Sequence, residues 1–163
     1  MKRSKYGLYL VAAAVIAADQ LLKWLIRAAL PVGQAAVVIP HVVEFLHLQN
    51  PGAAFSIFPN QWWFFVLIAV VVAIVVLYFH HRYRLETLTQ VGLGLLLGGA
   101  LGNMTDRLAL PGHTVTDYVD FYTIHFAIFN LADASIDIGV LLLLISSFRS
   151  GSSQASESED MKR

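Results

Sequence analysis

The chain has no cysteine among its 163 residues. That excludes disulfides, thiol nucleophiles and thiolate metal sites. Charge is scarce as well, since only 13% of residues are Asp, Glu, Lys or Arg, about half the share of a soluble domain. Acidic and basic residues number 11 each, for a formal net charge of zero, so bulk electrostatics offers nothing to a nucleic-acid partner. The histidines show no H-E-x-x-H spacing and supply no metal signature. Apolar residues are abundant, at 57%, and the mean hydropathy is +0.64. The chain reads as an all-α membrane protein, in one domain over 1–149.

Four apolar stretches, at about 6–26, 62–79, 88–104 and 131–148, approach the roughly 20 helical residues that a bilayer core requires. The second is the clearest, with "FFVLIAVVVAIVVLYF" uncharged throughout. The first begins like a secretion signal, but apolar residues continue past Asp19 as "LLKWLI", long for the core of a cleaved signal. Lys2, Arg3 and Lys5 precede span one, Arg82 and Arg84 lie between spans two and three, and Arg149, Lys162 and Arg163 follow span four. This bias predicts cytoplasmic termini and outward-facing loops at about 28–61 and 105–130. The Ser-rich tail, 150–163, lacks apolar periodicity and is expected to be a disordered cytoplasmic segment. "AAVVIPHVVEFLHLQ" predicts one or two short strands on the outer membrane surface. The Trp62–Trp63 pair suits an interfacial belt.

Polar residues gather at the outer ends of the spans. Asp19 and Lys23 are four apart in span one and share a helix face. Gly94, Gly98 and Gly102 form overlapping G-x-x-x-G patterns in span three, which allow close helix approach. Asn103 and Arg107 follow one turn apart, with Asp106 beside them; a local Asp106–Arg107 pair is the plain reading. Span four opens with Asn130 as a candidate N-cap and Asp133 at the third helical position, favoured by the helix dipole. Asp137, a turn deeper, has no such account; a buried partner such as Lys23 is one possibility. In hydrocarbon a carboxylate costs about 2.5–3.5 kcal/mol on insertion scales, so a cluster at one depth points to a site. Ser56 or Ser135 with Lys23 could make a Ser–Lys hydrolase, and His113 or His125 with Asp117 a metal site, but neither lies in a motif. Two carboxylates sharing one proton make the better catalyst, as in aspartic proteases. A proton- or ion-coupled transporter is the alternative.

The blocks "DQLLKW" (19–24), "NPGAAFS" (50–56), "GGALGNMTDR" (98–107), "VTDYVDF" (115–121) and "FNLADASI" (129–136) resemble the bacterial lipoprotein signal peptidases, signal peptidase II. The resemblance implies four transmembrane helices with a small outer-surface β-sheet, embedded in the bacterial inner membrane. It implies an aspartic endopeptidase whose site faces outward and whose substrate is a diacylglyceryl-modified prolipoprotein, cut just before the lipidated cysteine. Asp117 and Asp133 would be the catalytic pair, with Asp120 as the alternative to Asp117. Asn50, Asn103, Arg107 and Asn130 would line the site, Asp19 and Lys23 would support it, and Gly98 and Gly102 would permit tight packing. No cofactor or metal is implied. Cyclic-peptide inhibitors would fit the same groove, membrane lipids would surround the chain, and a monomer is expected. Two departures stand out: Pro51 after Asn50 removes a backbone donor, and the link between Arg107 and Asp117 is longer than usual. The apolar stretch around Phe55 is expected to act as a lid.

Overall fold

Leu8, Ala12, Val15, Asp19, Lys23 and Ile26 recur at three- and four-residue intervals, so one stripe of a helix carries all of them. In the computed structural model of the chain, which describes residues 6–53, 57–124 and 126–160, that stripe is the buried face of helix α1 (Gly7–Ala29). Strands β1 (Ala35–Ile39) and β2 (Val43–Asn50) follow, then α2 (Trp62–Arg82) and α3 (Thr87–Ala109). A single 3-10 turn (Pro111–His113) leads into β3 (Val115–Asp120), and α4 (Leu131–Asp160) closes the described chain.

Three helical segments are long and apolar enough to cross a membrane: Gly7–Ala29, Trp62–Arg82 and Leu131–Arg149. Four spans were the sequence expectation. Helix α3 has 23 residues, but its glycines and its polar end, Asn103, Asp106 and Arg107, dilute its apolar character. It is the central helix, packed against α1, α2 and α4. Helical backbone continues along α4 to Asp160, over part of the tail expected to be disordered. Phe55, Ser56 and His125, together with the charged residues at 2–5 and 162–163, lie outside the described residues.

Helix α3 owes its central place to glycines on two faces. A Cβ at Gly94 would stand 2.8 Å from the Leu8 carbonyl, and one at Gly98 2.7 Å from Val15 Cβ, both on α1. On the other face, a Cβ at Gly99 would come within 2.3 Å of the Ala132 carbonyl of α4. Gly139 of α4 is equally confined, against the Gly92 carbonyl at 2.7 Å. In an apolar medium such close backbone approach supplies the dispersion contact that holds helices together.

The sheet is antiparallel, in the order β1-β2-β3. The two expected strands are present, and β3 adds a third that alternation alone did not reveal. Asn50 stands opposite Val115, and Leu48 opposite Asp117, which leaves Asn50 and Asp117 as diagonal neighbours on one face. Asp120 is three residues beyond Asp117, so it lies on the opposite face, paired in register with Glu44.

One buried ammonium group joins these layers. Lys23 Nζ lies 2.9 Å from Asp19 Oδ2 and 3.5 Å from Asp106 Oδ2, and all three side chains are at most 1% exposed. It donates as well to Asn103 Oδ1 at 2.9 Å. The Asp19–Lys23 pair is the one expected from spacing. The expected Asp106–Arg107 pair is not formed, because adjacent helical residues point in different directions. Asp106 instead faces Lys23, Arg27 (3.7 Å) and Gln20 Nε2 (3.1 Å). Each carboxylate then reaches a further element: Ala132 N–H of α4 donates to Asp19 Oδ1 at 3.1 Å, and Thr116 N–H of β3 donates to Asp106 Oδ2 at 2.9 Å. Breaking a buried ion pair from one side costs about 3–5 kcal/mol. Lys23→Met is therefore expected to destabilise the protein by about that amount in thermal unfolding in detergent, with partial recovery in Lys23→Met/Asp19→Asn. A melting curve unchanged by Lys23→Met would contradict this role.

Candidate active site

The two backbone anchors just described sit immediately beside two acids. Thr116 precedes Asp117, and Ala132 precedes Asp133. Both acids line one cavity of about 640 Å³. Asp117 is 2% exposed and carries two amide donors: Asn50 Nδ2 to Oδ2 at 2.8 Å and Asn130 Nδ2 to Oδ1 at 2.7 Å. Asp133 Oδ1 accepts from Asn103 Nδ2 at 2.7 Å, and Oδ2 from the Asn130 N–H at 3.1 Å.

Asn130 is the hinge of this arrangement. Its side chain caps α4, with the Asp133 N–H donating to Asn130 Oδ1 at 3.0 Å, while Asp133 reaches back to the Asn130 N–H. This reciprocal pair is a capping box made of Asn and Asp. The cap expected from sequence is thus present, and the same residue also binds Asp117. Its Nδ2 is shared further with Asn103 Oδ1 at 3.1 Å. Asn130 is fully buried, so these bonds form away from water, where an unmade hydrogen bond would be costly.

Asn50 is oriented by its own loop. Pro51 cannot donate, and the next residue takes over: Gly52 N–H donates to Asn50 Oδ1 at 2.9 Å, an Asx turn. That leaves Asn50 Nδ2 to bridge Asp117 and the Ala53 carbonyl, the latter at 3.0 Å. Arg107 projects to the same side, where Nη2 donates to the Gly52 carbonyl at 2.8 Å and the guanidinium carbon stands 4.6 Å from the Phe65 ring centre. Its Nε is buried and has no hydrogen-bond partner among the described residues. The link after Arg107 is anchored by His113, which stacks on Trp62 at 4.0 Å and meets the Arg107 carbonyl through Nδ1 at 2.8 Å.

Burial, and after it the nearby Asp133 carboxylate, push the Asp117 carboxyl up to about 7, although the Asn50 and Asn130 donors and the Lys23 charge pull the other way. An acid that holds a proton near neutrality beside a second carboxylate is the arrangement that acid–base hydrolysis uses.

The structure brings Asn50, Asn103, Arg107, Asn130, Asp117 and Asp133 to one cavity or its immediate wall. Asp19 and Lys23 stand behind it, and Gly102 lies against Asp19, where a Cβ would come within 2.7 Å of Oδ2. Gly98 packs a turn away, on α1. Asp120 does not line the cavity. Asp137 does, contrary to the expectation of a buried ion-pair partner: it is exposed to the groove, and Lys23 is taken by Asp19, Asp106 and Asn103. The Ser–Lys alternative loses Ser135, whose hydroxyl donates to the Leu131 carbonyl at 2.8 Å. Sequence reasoning missed the double role of Asp106, for which its spacing from Lys23 on another helix gave no signal. It also missed Phe65, an aromatic one turn after Trp62 that looks like any other lipid-facing residue.

The sequence profile described as Signal peptidase (SPase) II matches residues 11–149. The lipoprotein signal peptidase of Trichormus variabilis is 37% identical, covering 90% of this chain and 93% of the relative. That of Geobacillus thermodenitrificans is 41% identical over 86% of this chain and 88% of the relative. A solved bacterial membrane enzyme, determined by the in meso method at 2.3 Å, superposes with a TM-score of 0.81 at 34% identity, over 90% of each chain. The coupled-transporter alternative finds no support among these relatives. A family profile spanning most of the chain, apolar helices and a shared fold together make this multi-pass membrane protein a member of the signal peptidase II family, the aspartic-type peptidases that process lipoproteins.

Proposed function

We propose that the chain removes the signal peptide from diacylglyceryl-modified prolipoproteins, cutting before the lipidated cysteine, with Asp117 and Asp133 as the catalytic pair. The observation that carries this reading is the double engagement of Asn130, which donates to Asp117 through its side chain and to Asp133 through its backbone. One buried residue thereby fixes two acids from distant parts of the chain around one cavity. Asp120, on the opposite strand face, has no such place.

Below pH of about 7 Asp117 holds a proton and Asp133 is the base. Asp133 accepts a proton from water as the water oxygen bonds to the scissile carbonyl carbon. Asp117 gives its proton to the carbonyl oxygen. When the tetrahedral intermediate collapses, the carbon–nitrogen bond breaks, the cysteine nitrogen takes up a proton from the pair, and the signal peptide leaves as a carboxylic acid. Asn103, bonded to both Lys23 and Asp133, holds the base in place. Arg107, on the cavity wall, holds the Asn50–Ala53 loop through the Gly52 carbonyl.

The placement suits an inner-membrane enzyme with four spans, cytoplasmic termini and an outward-facing site. Asp19 and Lys23 near the end of α1, Asn103 and Arg107 near the end of α3, and Asp133 at the start of α4 lie at one end of the bundle. The substrate's lipid would remain in the outer leaflet while its signal segment lies along the groove. Apolar residues Ile68, Val72 and Leu96 line that groove. It would admit a cyclic peptide as inhibitor, and the proposed site residues all come from one chain, in keeping with a monomer.

Asp117→Asn and Asp133→Asn are each expected to lower cleavage of a lipidated substrate by about a thousandfold or more while the protein still folds; near-normal turnover in either variant refutes the pair. The raised Asp117 value sets the sign of the pH dependence. The one-proton state of the pair is lost as pH rises through about 7, so kcat/KM should fall on the alkaline side, by about tenfold per unit. A rate still rising at pH of about 9 would exclude Asp117 as the acid.

A further inference from the structure

Asp137 has no use in the chemistry above. It lies seven residues into the described helix that starts at Leu131, past the first turn, where no orphan N–H awaits a cap. The described ion pairs of the buried network leave it out, and no hydrogen bond engages its carboxylate among the described residues. Its neighbours Ile136 and Ile138 are apolar, and all three line the cavity. At the centre of a membrane span a carboxylate costs about 2.5–3.5 kcal/mol on insertion scales, and among the described residues nothing pairs with Asp137 to offset such a cost.

The cavity is a groove. Phe65, Ile68 and Val72 of α2 form one wall, Leu96 and Ala100 of α3 the floor, and α4 from Asp133 to Ile138 the other wall. From Arg107 to Leu96 it extends for about 16 Å along α3, at 1.5 Å per residue. Asp137 is four residues beyond Asp133, hence about 6 Å further along α4, on the same face.

A peptide bond can be cut only when its strand is extended and open to the two acids. Unwinding a signal segment in apolar surroundings strips its N–H groups of their helical acceptors, each at a cost of several kcal/mol. An extended strand advances about 3.3 Å per residue, so 6 Å corresponds to about two residues. We propose that Asp137 accepts a hydrogen bond from a substrate main-chain N–H about two residues on the signal-peptide side of the scissile bond, and so stabilises the unwound strand in the groove. This rests on the proposed peptidase reading, and it makes Asp137 a substrate-binding residue.

The test uses the full chain in detergent with synthetic lipidated peptides, either unmodified or N-methylated at the second or third amide before the cut. Asp137→Leu is expected to lower kcat/KM on the unmodified peptide by about tenfold or more, mainly through KM. Methylation at one of the two positions should cost the wild type about as much, and Asp137→Leu should lose nothing further on that peptide. Asp137→Asn, which retains an acceptor oxygen, should recover much of the loss. Unchanged kcat/KM in Asp137→Leu, or losses that multiply at both methylated positions, would overturn the proposal. Asp133→Asn, assayed in parallel, separates the two claims: if it is inactive while Asp137→Leu behaves as wild type, only the Asp137 assignment fails, whereas an active Asp133→Asn removes the underlying reading.

Discussion

The site depends on the burial of the Lys23 ammonium between two carboxylates. In a low-dielectric interior a single unpaired charge is far more costly than in water, so Lys23, Asp19 and Asp106 persist together or not at all. Both acids also reach beyond Lys23. Asp19 accepts from the Ala132 N–H through Oδ1, the oxygen that Lys23 leaves free, and Asp106 accepts from the Thr116 N–H through Oδ2, the same oxygen that faces Lys23. Ala132 and Thr116 are the neighbours of Asp133 and Asp117. A cation that touches neither Asp117 nor Asp133 thus bears on the position of both, through two separate backbone bonds. Asn103 completes the link, accepting from Lys23 and donating to Asp133.

This network requires helices close enough for short side chains to meet, and the glycines of α3 supply that closeness. Where Gly102 faces Asp19, a methyl group would occupy the space of the carboxylate. Where Gly99 faces Ala132, the backbone of α4 itself would have to move, and Asp133 with it. Packing and electrostatics therefore share the same residues. The apolar outer surfaces of α2 and α4, which expose Leu67, Ile74, Leu141 and Leu144, face no such constraint and fit a lipid environment.

Much of this was legible because bilayer physics makes polar residues conspicuous. Asp19 and Lys23 one turn apart, and Asn130 with Asp133 at capping distance, announce local partnerships that spacing alone fixes. Contacts between distant elements were not legible in the same way. Asp106 looked like a partner for Arg107, yet its carboxylate faces α1 and β3 while Arg107 faces the loop at Gly52 and the Phe65 ring. Strand β3 was hidden because "VTDYVD" buries its first four residues in succession instead of alternating. The place of Asp137 depended on where α2 stands relative to α4, which no local pattern encodes. Helix α3 carries small residues on two faces, since a helix packed against three others needs close approach more than bulk.

The central claim is that Asp117 and Asp133 divide one proton across a shared cavity. Carboxyl-labelled aspartate followed by NMR in detergent through a pH series reads that proton directly. The account predicts that the Asp117 signal titrates near 7 and that its midpoint falls when Asp133 is replaced by Asn, because the neighbouring negative charge is gone. An Asp117 carboxyl that titrates near the ordinary value of about 4, indifferent to Asp133, would contradict it.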